Sequence, residues 1–145
     1  MTAGPLKGVR VLDLTSIVVG PVATQFLGDY GADVIKIEPP AGDLLRRLGG
    51  QSKSGSLSPK FMNLNRNKRS LTLNLKDPDG LAVFLRLVEG ADVVVENFRP
   101  DVKFRLGIDY DSLAKVNPKI ILASISGFGQ DGPYQGRPGF DQIAQ

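Results

Sequence analysis

Residues able to grip an anion or a flat ring stand just past two apolar stretches of this chain. Asn65-Arg66-Asn67-Lys68-Arg69-Ser70 runs into the strand-like Leu71-Thr72-Leu73-Asn74-Leu75, which ends in Lys76. Further on, Val93-Val94-Val95 ends in Glu96-Asn97-Phe98-Arg99-Pro100. Each puts a cation, or an amide beside an aromatic, past an apolar strand, and open α/β sheets bind ligands outside the carboxyl ends of their strands. Fixed positive charge, an aromatic face and a polar side chain are what a phosphorylated nucleotide needs. The chain therefore reads as part of a nucleotide-handling α/β protein.

Each of these residues also has a plainer reading. A single Lys or Arg, such as Lys68, Arg69 or Lys76, is more often solvated than liganding. Phe98 suits a core, and Asn97 suits a turn. Glu96 reads as a general base or as a partner for Arg99 or Arg105. Asp141, beside Phe140, reads as a helix cap.

Composition removes several chemistries. The chain has no Cys and no His, which excludes a disulfide, a thiolate nucleophile, an imidazole base and a Ser-His-Asp triad within it. An ordinary zinc site goes with them, and no metal is expected. Acid–base or covalent work falls to carboxylates, Lys, Tyr or hydroxyls. A net charge of +3 suits an anionic ligand but gives thin support for nucleic acid, and no nucleic-acid partner is expected. No apolar run approaches the roughly 20 residues that span a bilayer, and Met1 to Pro5 offers no signal-peptide core. The expectation is a soluble cytoplasmic protein with no membrane partner.

Strand and helix patterns alternate along the chain. Val9 to Leu14 reads as a strand, followed by a loop from Thr15 to Gly20 and a helix with Pro21 at its first position. That helix carries Val22, Ala23, Phe26, Leu27 and Tyr30 at helical spacing, with Gly31 as its cap. Asp33 to Glu38 is a second strand, and residues 41–60 a long loop with one helical turn at Leu44 to Leu48. Leu71 to Leu75 is the third strand. A helix capped by Asp77 and opened by Pro78 then presents Leu81, Phe84, Leu85 and Val88. Ala91 to Val95 and Lys119 to Ile125 are the fourth and fifth strands, separated by a short helix from Asp109 to Val116. Such alternation with apolar strands means a parallel sheet covered on both faces. The pattern from Asp141 to Gln145 begins a helix and stops, so a fragment of a longer chain is expected.

Gly127-Phe128-Gly129-Gln130-Asp131-Gly132 has the spacing of a dinucleotide fingerprint, but Pro133 follows where a helix would have to open. With Gly136, Pro138 and Gly139 it reads as a loop. The turn Ser16 to Pro21 has one glycine and fails the same pattern. Its backbone N–H groups can still face a phosphate or a base.

The ordered motifs resemble the N-terminal region of the class III CoA-transferase family (the CaiB/BaiF type), which includes formyl-CoA and carnitine-CoA transferases and α-methylacyl-CoA racemases. The matching stretches are Pro5 to Leu14, Gly20-Pro21, Gly31 to Pro40, Gly42-Asp43, Asn67 to Ser70 through Lys76, and Ala91 to Pro100. Arg105-Leu106-Gly107, Asn117-Pro118-Lys119 and Ser126 to Tyr134 complete a likeness that covers essentially the whole chain.

The resemblance implies a Rossmann-like open parallel sheet with helices on both faces, the N-terminal part of a larger interlocked-dimer fold. Residues 1–145 would be the N-terminal part of its CoA-binding large domain, without the second domain and the returning C-terminal segment. It implies a CoA-transferase that moves CoA between carboxylic acids through an aspartyl-CoA thioester, with coenzyme A as carrier and an acyl-CoA and a carboxylic acid as substrates. Carried over by position, Ile17, Val18, Val19 and Leu73 would meet the adenine and ribose, Lys76 and Arg105 the phosphates, and Asn97 and Phe98 the pantetheine. Where some relatives have an arginine near the adenine this chain has Pro39, with Arg46 or Arg47 to compensate. The nucleophilic aspartate would lie beyond Gln145, leaving Asp141 a supporting role and the chain by itself inactive. Racemase members carry a histidine base at the place of Phe140, and a phenyl ring moves no proton, so transferase is favoured. A racemase-type enzyme and a non-catalytic CoA-binding module remain the alternatives.

Overall fold

Among the described residues, five short strands form a single sheet in which every pairing is parallel. They are β1 (Arg10–Asp13), β2 (Asp33–Glu38), β3 (Lys68–Thr72), β4 (Val93–Glu96) and β5 (Ile121–Ser124), in the order β3-β2-β1-β4-β5. The structure is a computed structural model and describes residues 4–50, 53 and 57–145. Helices α1 (Val19–Asp29), α2 (Pro59–Leu64), α3 (Pro78–Val88), α4 (Pro100–Leu106), α5 (Tyr110–Val116) and α6 (Asp141–Ala144) connect and follow the strands. The chain winds outward one way from β1 through β2 to β3 and the other way through β4 to β5. The switch point, where a crevice must open, lies between β1 and β4.

Local chemistry sets the helix starts. Asp77 caps α3 by accepting from Asp79 N at 2.9 Å, with Pro78 next, as expected. Asp109 caps α5 through Ser112 N at 3.2 Å. The sequence reading passed over α2 and α4, which are only six and seven residues long. Both nevertheless carry start signals: Ser58 caps α2 ahead of Pro59, and Pro100 opens α4. Gly107 ends α4 in the left-handed conformation at φ 66°. The long-loop expectation for 41–60 falls partly outside the described residues. Within them, the helical turn narrows to Leu44–Arg46. Several boundaries also shift: β1 and β5 are shorter than expected, β4 runs Val93–Glu96 in place of Ala91 to Val95, and β3 ends at Thr72, not Leu75. β3 starts at Lys68, three residues before the expected strand, and α1 starts at Val19, leaving Pro21 inside the first turn where its missing N–H is not needed.

The two faces of the sheet differ. Side chains alternate along a strand, so Leu12, Leu14, Ile35, Ile37 and Val94 share one face. Phe84 and Val88 of α3, Ile108 between α4 and α5, and Leu113 of α5 complete an apolar core there. On the opposite face Val11, Val34 and Val95 form a smaller cluster. Beyond them Asp13, Lys36 and Glu38 are buried on that same face.

The apolar spacing of α1 marks its inward face poorly: Leu27 packs against the smaller cluster, but the large rings do not. Gly20, Pro21, Thr24, Gln25 and Gly28 face inward, while Phe26 and Tyr30 are 53% and 55% exposed. The reason is close approach: a Cβ on Gly20 would fall 2.3 Å from Thr15 Cβ, so the helix backbone lies directly on the turn after β1. A larger side chain has no room at Gly20.

Candidate functional site

Past the carboxyl ends of β1, β2 and β3 lies a slot of about 330 Å³. Leu14 to Ile17 line it after β1, Ile37 to Pro39 and Gly42 to Leu44 after β2, and Leu73 to Lys76 after β3. Phe98 and Leu106 close it from beyond β4. Its walls are mostly apolar side chain, which suits a flat ring. Lys76 stands at the rim, exposed, and among the described residues its ammonium has no hydrogen-bond or ion-pair partner. An unpaired cation beside an apolar slot is arranged for a ligand with a ring at one end and negative charge further along.

The wall after β1 is held unusually firmly. Thr15 N donates to Asp13 Oδ1 at 2.9 Å, and Thr15 O accepts from Lys36 Nζ at 2.8 Å. Asn97 grips Ser16 at both ends: Ser16 N donates to Oδ1 at 2.9 Å, and Nδ2 donates to Ser16 O at 3.0 Å. Ile17 N donates to the Asp43 carboxylate at 3.1 and 3.3 Å. Ile17 has φ 69°. A β-branched residue in the left-handed region is an outlier costing on the order of 1–2 kcal/mol.

Behind this turn lies a buried charge network that the sequence reading did not see. Lys36 Nζ sits 3.2 Å from Asp43 Oδ2, and Lys68 Nζ 2.9 Å from Asp13 Oδ2, with all four side chains nearly inaccessible. Asp13 Oδ2 also accepts from Thr24 Oγ1 at 2.7 Å. Glu38 receives Arg46 at 2.8 and 2.6 Å and the Asp43 N–H at 2.8 Å, while the Arg46 guanidinium lies 4.0 Å over the Phe61 ring. No buried side-chain nitrogen or oxygen among the described residues lacks a partner. That is the condition under which buried charge is tolerable. Burial pushes the Lys68 pKa down, with Asp13 opposing it. Burial pushes Glu38 up, but Arg46 and the Asp43 amide outweigh it and leave the carboxyl below its ordinary 4.5. The sequence did hold a signal: Lys36 and Glu38 alternate with Ile35 and Ile37 in a strand expected to be covered on both faces.

A second junction ties down the glycine-rich loop. Lys103 Nζ donates to Ser124 Oγ at 3.0 Å and to Gln130 Oε1, and lies 3.7 Å from Glu96 Oε1. Glu96 Oε2 accepts from Phe98 N at 2.7 Å. Glu96 is thus buried and pairs with Lys103, not with the expected Arg99 or Arg105. Gly127 and Gly139 touch at the base of the loop, where a Cβ on either would lie 2.4 Å from the other's Cα. Only glycine fits there. No helix opens between 125 and 140, in keeping with the loop reading of the G-x-G-x-x-G stretch.

The slot brings together Ile17, Leu73, Lys76 and Phe98 of the residues singled out from sequence. Asn97 stands behind the wall, gripping Ser16. Val18 and Val19 are exposed beside the slot without lining it. Arg105 lies just before Leu106 and pairs with Asp101 at 3.1 Å, both side chains well exposed. Arg46 is occupied by Glu38 and Phe61, so it is not free to replace an arginine at Pro39, which itself lines the slot. Arg47 is exposed outside it. Lys68, weighed as a solvated or liganding cation, is neither; it is buried on Asp13. Arg69 pairs with Asp33 at the surface. Asp141 is the first residue of α6, where only the backbone is described.

Comparison with known proteins identifies the family and matches the fold. The family described as CoA-transferase family III matches residues 6–145. A succinyl-CoA–L-malate CoA-transferase beta subunit from Chloroflexus aurantiacus is 44% identical, over 99% of this chain and 35% of its own length. An acetyl-CoA:oxalate CoA-transferase from Acetobacter aceti is 50% identical, over 98% and 36%. A crystal structure of a CAIB/BAIF family protein from Brucella suis superposes with a TM-score of 0.92 at 41% identity, covering 98% of this chain and 38% of that one. The chain thus spans about a third of the length of the curated relatives it matches. It belongs to CoA-transferase family III.

Proposed function

We propose that residues 1–145 are the CoA-binding part of an acyl-CoA:carboxylate CoA-transferase, with the adenine end of CoA in the slot and Lys76 facing its phosphates. The observation that carries this is the apolar slot with one unpaired ammonium at its rim. Ile17 and Leu73 would hold the base and ribose, and Phe98 would lie along the pantetheine. Arg105 would add charge from outside the slot, because its exposed pair with Asp101 is worth little and exchanges readily.

The chemistry itself is expected from residues outside this chain. An aspartate carboxylate attacks the donor thioester carbonyl, expels CoA thiolate and forms a mixed anhydride. The thiolate then attacks the enzyme's own carbonyl, releasing the donor acid and leaving an aspartyl-CoA thioester. The acceptor carboxylate repeats the sequence in reverse order. Asp141 would support that site, and coenzyme A would be the only cofactor. A homodimer is supported by the exposed apolar stripe of Val19 and Phe26 on α1 and Tyr30 at its cap. No helix among the described residues is long and apolar enough to cross a membrane, and the protein would work in the cytoplasm.

The test is calorimetric titration of the natively expressed protein with CoA at two salt concentrations. Saturable binding that weakens with salt is expected. Lys76→Ala should cost about tenfold in affinity, equivalent to about 1.4 kcal/mol for one charge-assisted contact. No binding by the folded protein would sink the proposal. Binding without exchange of CoA between carboxylic acids would point to a non-catalytic module, and α-proton exchange would point to a racemase.

A further inference from the structure

The geometry points to Asn97 and Lys36 as positioning residues, a brace that holds Ile17 in its left-handed conformation and so sets the shape of the nucleotide slot. This rests on the slot being the CoA site. Neither Asn97 nor Lys36 lines the slot. Both act on the backbone of the turn that does: Asn97 on Ser16 N and O, and Lys36 on Thr15 O. Lys36 also holds Asp43, whose carboxylate receives Ile17 N. Three successive residues of the β1 turn are therefore clamped from β2, from the loop after it and from the end of β4. Asn97 reaches across the switch point to do this.

The strain shows what the clamps are for. A β-branched residue keeps φ 69° only where its surroundings over-determine it, and such outliers gather at ligand sites. Released from the brace, residues 15–17 would relax toward negative φ and move the slot wall. The Ile17 side chain, 41% exposed at the mouth, would then no longer present the same face to the ligand. Preorganisation of this kind raises affinity without adding a contact.

The experiment is a double-mutant cycle on CoA affinity in the natively expressed protein, using Asn97→Ala with and without Ile17→Gly. Glycine adopts positive φ without strain, so with Gly at this position the turn no longer needs the brace to oppose relaxation. Asn97→Ala should weaken CoA about tenfold in the Ile17 protein and less than about threefold beside Ile17→Gly. Amide exchange at Ser16 and Ile17 should rise in Asn97→Ala while exchange in α3 stays unchanged. Equal losses in both backgrounds, or exchange rising throughout the molecule, would overturn the brace and leave the CoA reading standing. Failure of the wild-type protein to bind CoA would overturn both.

Discussion

One face of the sheet is built from oil and the other from charge, and the two solve the same burial problem in opposite ways. Beneath α3 and α5, Phe84, Val88, Ile108 and Leu113 are fully buried against Leu12, Ile35 and Val94. Beneath α1, Asp13 and Lys36, with the side chain of Lys68, are buried as deeply, and the helix turns Gly20, Thr24 and Gly28 toward them. The apolar face is stabilised by non-directional burial and tolerates many sequences. The charged face requires particular partners at particular distances, and its clamps run into the turn that walls the slot. Stability is concentrated on one side, and shape specification on the other.

Matched substitutions on the two helices should break this comparison most visibly if it is wrong. Phe84→Ala removes a ring of zero exposure from the apolar core and should cost about 3–5 kcal/mol in denaturant unfolding. Phe26→Ala, the same change on α1, should cost under about 1 kcal/mol within a single subunit. If the α1 stripe is a subunit interface, Phe26→Ala should instead shift sedimentation toward monomer. A Phe26→Ala loss equal to that of Phe84→Ala in a monomer would mean that α1 packs inward after all.

The charged face has a different signature. Lys68→Met strands the Asp13 carboxylate without its cation and should cost about 3 kcal/mol. Adding Asp13→Asn should return part of that loss, because the amide oxygen can still accept from Thr15 while no unpaired charge remains buried at this position. A double variant worse than the single one would show that the Asp13 carboxylate contributes through its threonine hydrogen bonds even without Lys68. No such recovery is available on the apolar face, where a second truncation near Phe84 only enlarges the cavity.

This asymmetry also decides what could be read from the sequence. The apolar face was legible, since Leu81, Phe84, Leu85 and Val88 recur at helical spacing beneath a clear Asp77-Pro78 start. Lys76 and Phe98 were read as standing just past apolar strands, whereas Ile17 and Leu73 came only from the family resemblance; all four line the slot. Periodicity misled at α1 because it reports where large apolar residues lie, not which side meets the sheet. When glycine and threonine permit close backbone approach, the small side packs inward. The Lys36–Asp43 and Lys68–Asp13 pairs join residues 7 and 55 positions apart, and nothing local announces the longer one. Ile17's left-handed backbone was invisible for a stronger reason: no sequence rule assigns positive φ to isoleucine. It arises from the clamps.

Acid titration should give the smallest effect and the sharpest separation of the two faces. Glu38, Asp33 and Asp29 all have carboxyls held below their ordinary values in the folded protein. For Asp29 the main cause is Arg66; for Asp33 and Glu38, burial acts upward but arginine hydrogen bonds prevail. Groups depressed on folding add stability that is present above their unfolded pKa and lost as pH falls through the folded one. Stability should therefore begin to decline as pH drops through about 4.5, the ordinary value for Glu38, and continue downward below it. Glu38→Gln should flatten that decline, since it removes one of the linked protons, whereas Phe84→Leu should lower the whole curve without changing its slope. Because Glu38 also accepts the Asp43 N–H that anchors the slot wall, CoA affinity should weaken over the same acid range. Affinity that stays constant while stability falls would separate the charged face from the slot and confine its role to folding.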